Sequence, residues 1–446
     1  MHISRLAKSI VGVERIKVRS IATDGAGALA IDAEPYRARS CRCGKCGRDA
    51  PRYDAGRGVR LWRRCDVGGM KAHVRSEAFR VPCPECGTVA REVPWAAHGS
   101  RLAYAFEDTC CWCALSMGRV ACQKLMRVSW RTVGPICSRA EARLSGARPP
   151  VPGGPVRTGV DETSCRKGCK YMTVIVNHGT GAVVRCHDGH GKEAFGEFLS
   201  GLTEEQRASI ELVSADGARW VDEAMAEWLP GAAGCIDTFH VVHWATDLLD
   251  EVRKQAWREA AGAARKEPAR RRGRPGKGGE APCGKRKAAA VKGLRYPLLR
   301  NPENPTERQQ AAPEMAAISH PWLWRACLLK EGLRLALKLP ADQIRSAIQE
   351  WRGRAWRSRI PEFVELQRKI ARHLDAIVAA AENGLANARA ESVNSKIKVI
   401  VRMAYGFRSL DNLFARVMLR CSGLEVPLPG RPYKTHTLLR SLKKQG

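Results

Sequence analysis

Residues 159–177 read Gly-Val-Asp-Glu-Thr-Ser-Cys-Arg-Lys-Gly-Cys-Lys-Tyr-Met-Thr-Val-Ile-Val-Asn. The β-branched run Tyr171–Asn177 predicts a strand, and Val156–Asp161 predicts another that ends at Asp161. Gly179-Thr180-Gly181 has turn chemistry, and Ala182–Arg185 continues as a third strand, so this segment is a hairpin or meander. Glu193–Leu202 then carries helical apolar spacing. Ile210–Ala215 (IELVSA) reads as a buried strand ending at Asp216, Gly217–Leu229 as a helix and Gly234–Asp237 as a short strand. Strand, strand, strand, helix, strand, helix, strand is an α/β order.

Working outward, residues 238–263 look helical, 264–298 form a basic break bearing Gly and Pro, and 305–382 read as several helices rich in Trp and Arg. A last helix runs from about Leu385 to Lys398. Upstream, Pro149, Pro150, Pro152 and Pro155 cannot continue a helix and mark a linker. Residues 100–146 read as helices, 41–90 are rich in Cys and Gly, and 1–40 have weak periodicity. The expected division is 1–95 with metal knuckles, 96–148 helical, 149–263 the first part of the α/β core, 264–382 a basic linker and helical insertion, and 383–446 a terminal helix and tail. There is no internal repeat.

The chain has 446 residues and a formal net charge of +31, from 76 Lys plus Arg against 45 Asp plus Glu. Such an excess favours a polyanionic partner through counterion release. No apolar run reaches the ~18 residues that a spanning helix needs. Met1–Arg15 has no continuous apolar segment of the signal-peptide kind. A cytoplasmic, nucleoid-associated protein is expected.

Eighteen cysteines in such a protein are expected to be reduced, with some binding metal. Cys43-Gly44-Lys45-Cys46 and Cys83-Pro84-Glu85-Cys86 are two C-x-x-C pairs, followed by Gly47 and Gly87. Two thiolates on each tight turn complete a tetrahedron around structural Zn²⁺, with basic strands between forming a ribbon. A redox role fits two such knuckles less well. Cys41 and Cys65 stand outside the pairs. Cys110, Cys111 and Cys113 read as helix core, and Cys186, Cys235, Cys327 and Cys421 as small core residues.

Ala114–Met126 and Trp130–Leu144 are apolar-periodic segments separated by Arg127-Val128-Ser129, with Ser129 placed to cap the second. With Arg131, Arg139 and Arg143 on the second, they fit a helix-turn-helix, although many helical hairpins look alike and Pro135 inside the second segment weakens the fit unless it lies in the first turn. Arg271-Arg272-Gly273-Arg274-Pro275 has the Arg-Gly-Arg-Pro core of an AT-hook, whose arginines lie in a narrow minor groove. A solvated basic linker is the plainer reading of Arg272 and Arg274.

Three carboxylates stand out. Asp161 lies in Gly159-Val160-Asp161-Glu162, and Asp216 in Ala215-Asp216-Gly217. Glu391 is the lone acid in a helix with Lys396 and Lys398, followed by Arg402 and Arg408. Hard oxygen ligands on separate elements suit divalent metals in phosphoryl transfer. The plainer readings are a helix cap for Asp216, a surface residue near Ser395 or Lys398 for Glu391, and Glu162 as ligand in place of Asp161.

These motifs resemble the insertion-sequence transposases of the ISL-three family, over nearly the whole chain. The knuckles, the paired helices, GVDETSCRKGCKYMTVIVN, CIDTFHVVHWA (235–245) and NARAESVNSKIKVIVRMAYGFRS (387–409) fall in the family's order. The resemblance implies a ribonuclease-H-like core with a helical insertion, and a catalytic triad of Asp161, Asp216 and Glu391. Asp237-Thr238-Phe239-His240 matches an accessory C/D-x-x-H motif, whose Asp237 and His240 would support the site or touch DNA. Two departures are Asn177, where the family's strand often ends in Asp, and a long basic stretch at 265–295.

The implied activity is binding of terminal inverted repeats, then cleavage and strand transfer with Mg²⁺ or Mn²⁺. Lys396, Lys398, Arg402 and Arg408 would clamp phosphates, unless they form a solvated basic face. Joining two ends implies a homo-oligomer on double-stranded DNA. A catalytically inactive DNA-binding regulator and a structure-specific nuclease are the rival readings. An RNA-binding protein is the least expected, because no aromatic-rich RNA motif is present.

Overall fold

A computed structural model describes residues 3–13, 15–36, 41–147, 156–166, 170–266, 283–299, 320–385 and 388–430. The AT-hook stretch with Arg272 and Arg274, and the proline-rich linker through Pro155, lie outside the described residues.

The chain opens with a helix, Ile3–Val11, that packs on a four-stranded sheet. Its strands are β1 (Ile16–Thr23), β2 (Leu29–Pro35), β3 (Val59–Val67) and β4 (Met70–Glu77), in the order β1-β2-β4-β3. In β2 every second residue from Leu29 to Pro35 is buried, the period expected of a strand with one covered face. Ile16, Ile31, Trp62, Val74 and Trp95 share that core, with the two indoles edge-to-face at 5.6 Å. β5 (Arg80–Cys83) and β6 (Gly87–Ala90) then form a hairpin.

Three helices follow: Tyr104–Ser116, Arg119–Met126 and Trp130–Gly146. The expected continuous helix Ala114–Met126 is broken at Met117-Gly118, where both residues are extended. Ser129 does occupy the cap position of the third helix, but its hydroxyl bonds the Thr132 hydroxyl (2.9 Å) rather than a backbone N–H. That helix continues past Pro135, which lies inside it rather than in its first turn.

The second sheet comprises β7 (Arg157–Arg166), β8 (Lys170–Asn177), β9 (Ala182–Asp188), β10 (Leu212–Ala215) and β11 (Ala233–Ile236). Its order is β11-β10-β7-β8-β9. β7, β8 and β9 form an antiparallel meander, while β10 lies parallel to β7 and β11 parallel to β10. The strand expected to end at Asp161 instead continues, because Glu162, Thr163 and Ser164 pair with Thr173, Met172 and Tyr171 of β8. Asp161 therefore sits inside β7.

Helices cover both faces of this sheet. Val160, Ile175 and Val213 meet Phe195 and Leu199 of the helix Lys192–Ser200 and Val221 and Ala224 of Arg219–Trp228. On the other face, Met172, Val174 and Val176 meet Val393 and Ile397 of the helix Ala388–Met403 and Leu413 and Val417 of Leu410–Cys421. The terminal helix thus extends beyond the expected Lys398, and Leu410–Cys421 is an additional helix in the segment read as tail.

Between β11 and Ala388 stand the helices Thr238–Lys266, Cys283–Gly293, Arg295–Leu299, Pro321–Ala336, Ala341–Arg357, Pro361–Arg372 and Leu374–Glu382. Part of the basic break is therefore helical. These helices share a core of Leu249, Leu323, Leu333, Ile348, Trp351 and Phe363, among others, and Leu374–Glu382 returns beside β11. Among the described residues, no helix is long and apolar enough to cross a membrane.

Candidate active site

Asp161 and Val160 point to opposite faces of β7, as neighbours on a strand must. Val160 enters one core, so Asp161 faces the helix Ala388–Met403. Its Oδ1 accepts the Glu162 backbone N–H at 2.8 Å, and its Oδ2 accepts the Asn394 side-chain amide at 2.7 Å. Burial raises the Asp161 pKa above its ordinary value and Asp216 adds to the rise, whereas the Glu162 amide, His240 and Asn394 act to lower it.

β10 runs beside β7 with Ser214 opposite Gly159, so two further residues carry Asp216 to the level of Asp161. Asp216 is exposed, and its Oδ1 accepts the Ala218 N–H at 3.1 Å. The helix Arg219–Trp228 is capped by Ala218, so Asp216 closes a turn ahead of it rather than capping it. Gly217 has φ +82°, and a Cβ there would lie 3.0 Å from Ile236 and from the Trp244 indole. Glycine is required by both conformation and space.

Asp237 follows β11, the parallel neighbour of β10. Its buried carboxylate accepts the Phe239 N–H at 2.9 Å, and its carbonyl accepts from His240 N–H at 3.0 Å, starting the long helix. His240 is half-buried within electrostatic reach of Asp161.

Glu391 is exposed in the first turn of Ala388–Met403. Asn394 lies three residues on, hence on the same helical face. Asn394 was absent from the expected site residues, although its spacing from Glu391 was a readable signal. Its Oδ1 is buried, with no hydrogen-bond partner among the described residues. Lys396, Lys398 and Arg402 are exposed along the same helix, and Arg408 is exposed beyond it.

The four knuckle cysteines come together more tightly than the carboxylates. Their Sγ atoms all lie within 4.8 Å of one another, and Cys46 and Cys83 are 3.5 Å apart. Among the described residues this is the one group of three or more His, Cys, Asp or Glu side chains so disposed; Asp161, Asp216 and Glu391 do not form another. Gly47 and Gly87 take φ +73° and +72°, the left-handed turns that let each knuckle close. The Gly44 N–H donates to the Ala90 carbonyl at 3.2 Å, tying one knuckle to the other. Backbone amides of Cys86 and Glu85, with neighbouring thiols, draw Cys83 down to about 7 against the opposing effect of burial. Cys41 and Cys65 lie outside this group, while Cys110, Cys111 and Cys113 are buried with Cys122 and Cys137 in a helical core.

Of the arginines on Trp130–Gly146, Arg131 is exposed. Arg139 pairs with buried Glu107 at 2.5 Å, and Arg143 pairs with buried Asp108. The same helix packs on Leu410–Cys421 so closely that a Cβ on Gly134 would meet Asn412 at 2.5 Å.

Residues 158–417 match the DDE_Tnp_ISL3 family, described as transposase. The chain is 41% identical over 441 residues to the transposase for insertion sequence element IS1557 of Mycobacterium tuberculosis, covering 96% of this chain and 97% of that one. It is 26% identical over 410 residues to the transposase for insertion sequence element IS1001 of Bordetella parapertussis, covering 91% and 94%. A mixed α/β chain that matches this family from β7 to the helix after Glu391, and such relatives along almost their entire length, belongs to the ISL3 family of insertion-sequence transposases.

Proposed function

We propose that the chain is a DDE transposase on a ribonuclease-H-like core, cutting at the terminal inverted repeats of its element and joining the freed ends to target DNA. One observation carries this reading: Asp161 inside the central strand and Asp216 at the end of the adjacent parallel strand, with the Glu391 helix laid across Asp161. The order β9-β8-β7-β10-β11, with its meander and two parallel strands, supports the ribonuclease-H-like assignment, and the helices from Cys283 to Glu382 are the insertion within it.

Asp161, Asp216 and Glu391 would hold divalent magnesium or manganese. The donor set fits, since hard carboxylate oxygens come from separate elements and the unpartnered Asn394 Oδ1 adds an oxygen beside Asp161. When bound, such ions supply electrostatic stabilisation of the attacking and leaving oxygens in an in-line displacement. The residues do the rest. Asn394 fixes the direction of the Asp161 carboxylate, the Gly217 turn presents Asp216, and His240 lies where its charge bears on Asp161. Lys396, Lys398, Arg402 and Arg408 hold the phosphate backbone. No side-chain nucleophile is needed, because water and then the freed 3′-OH attack phosphorus.

Residues 1–95 would bind Zn²⁺ through Cys43, Cys46, Cys83 and Cys86, as a tetrahedral four-thiolate site requires. Residues 96–148 would contact the repeat, with exposed Arg131 as one basic contact, while Arg139 and Arg143 also brace the helix. Residues 149–263 and 383–446 would make the catalytic core around the 264–382 linker and insertion. Two ends would require at least two protomers on DNA.

The test is a duplex carrying the flanking inverted repeat, incubated with Mg²⁺ and wild type, Asp161→Asn, Asp216→Asn or Glu391→Gln. Cleavage exposing a 3′-OH in wild type alone, with binding intact in all four, is the expected result. Binding without cleavage by wild type would favour a DNA-binding regulator.

A further inference from the structure

We propose that Lys369, carried on a helix of the insertion, is a catalytic residue whose ammonium binds a phosphate of the DNA strand lying at Asp216. The inference rests on the reading of Asp216 as part of a DNA-cutting site.

The geometry runs through one indole. Trp244, on the helix that follows Asp237, reaches the Asp216–Gly217 turn so closely that a Gly217 Cβ would lie 3.0 Å from its Cζ2 and Cη2 atoms. The face of the same ring carries the Lys369 ammonium at 3.5 Å from its centroid. Lys369 belongs to Pro361–Arg372, which packs on the Trp244 helix. The insertion thus sends a cation to the turn that presents Asp216.

Two features distinguish this cation from its neighbours. Arg368, the preceding residue, is paired with Glu365 at 2.6 Å, whereas Lys369 is in no ion pair among the described residues. An aromatic face attracts an ammonium without accepting its three N–H bonds in full, so those donors stay available to a ligand. Lys369 is also half-buried. Burial pulls its pKa below the ordinary lysine value and Arg372 adds to this, while Asp216 acts in the opposite direction. A lysine ammonium is a point-charge partner for phosphate, and its electrostatic value rises where water is partly excluded.

A purely structural role, with the lysine stem gluing the insertion to Trp244, makes different predictions. Lys369→Met keeps an apolar stem on the indole and removes the charge; Lys369→Arg keeps the charge. The measurements are melting temperature, affinity for the repeat-end duplex, and single-turnover cleavage at saturating DNA and Mg²⁺. For Lys369→Met the expected rate loss is about 10²-fold, the size typical of losing one charge-stabilising donor. Its melting temperature should stay at the wild-type value, its affinity should fall far less than its rate, by no more than one phosphate contact's share, and Lys369→Arg should recover most of the rate. In addition, replacing single phosphates near the cut by neutral methylphosphonates should reveal one position that slows wild type but not Lys369→Met.

Cleavage by Lys369→Met at the wild-type rate would overturn the proposal and leave the proposed function standing. So would a rate loss that merely follows lowered melting, with every methylphosphonate slowing the variant as it slows wild type. A wild-type protein that binds the duplex but does not cut it would overturn both.

Discussion

The Asn394 side chain donates to the Asp161 carboxylate at 2.7 Å across 233 residues of sequence, joining the helix Ala388–Met403 to the central strand. The bond occupies one Asp161 oxygen while Asn394 Oδ1 stays buried and unpartnered beside it. Asn394 therefore positions the Asp161 carboxylate. Asn394→Leu is expected to retain the fold and lose cleavage about 10–100-fold, the scale on which an outer partner of a metal-holding side chain acts. A Mg²⁺ titration checks this: the half-saturating concentration should rise in Asn394→Leu and be restored closer to wild type in Asn394→Gln. An unchanged Mg²⁺ requirement would leave Asn394 with packing alone.

Gly217 offers a test of the turn beside it. At φ +82°, with Ile236 and Trp244 filling the space around its Cα, alanine meets both backbone strain and a clash. Gly217→Ala should destabilise the protein by about 1–3 kcal/mol and reduce cleavage more than end binding. Urea unfolding read beside both activities would show it. Wild-type stability in the alanine variant would contradict this account of the turn.

The α/β sheet was readable because its strands carry local signals. Tyr171–Asn177 is rich in β-branched residues, and Leu212–Ala215 is buried at all four positions, as in a strand covered on both faces. The end of β7 was misread because Glu162–Arg166 is polar and resembles a loop; its pairing with β8 decides otherwise. The four-stranded sheet was obscured for another reason. Its exposed positions are crowded with Arg and Lys, and β2 pairs in parallel with β4 across some forty residues, a contact with no local signature. Leu410–Cys421 was overlooked although Leu410, Leu413, Phe414, Val417 and Met418 follow helical spacing. Site residues were legible as types in a pattern. Asn394 gains its meaning from Asp161, and Lys369 from Trp244, through contacts that only the fold creates.

The arginines of Trp130–Gly146 should separate by role. Arg143 faces Asp108, whose side chain is 2% exposed, so Arg143→Ala leaves a buried carboxylate without that guanidinium. It should cost about 2–4 kcal/mol of stability, because removing one partner of a buried pair is more damaging than the pair is stabilising. Arg131 is exposed, and Arg131→Ala should leave stability unchanged while weakening repeat binding. The dependence of log affinity on log salt should become shallower by about one for a lost phosphate contact. Equal melting temperatures for the two variants would refute the division.

The knuckles carry the last prediction. Four thiols within 4.8 Å of one another repel when ionised, and a cation that neutralises them would be required for all four to act as thiolates. Purified protein should release one zinc per chain to a thiol-reactive agent and a metallochromic dye, and Cys83→Ser should release far less. Because the β5–β6 hairpin has its own small core of Phe79, Val81 and Val89, separate from that of the four-stranded sheet, metal loss should unfold the hairpin locally. Hydrogen exchange would then accelerate at Arg80–Ala90 and remain slow in β7, β8 and β10. Acceleration throughout the five-stranded sheet would mean that the metal supports the whole chain, and absence of zinc from freshly purified protein would remove the metal from these four cysteines.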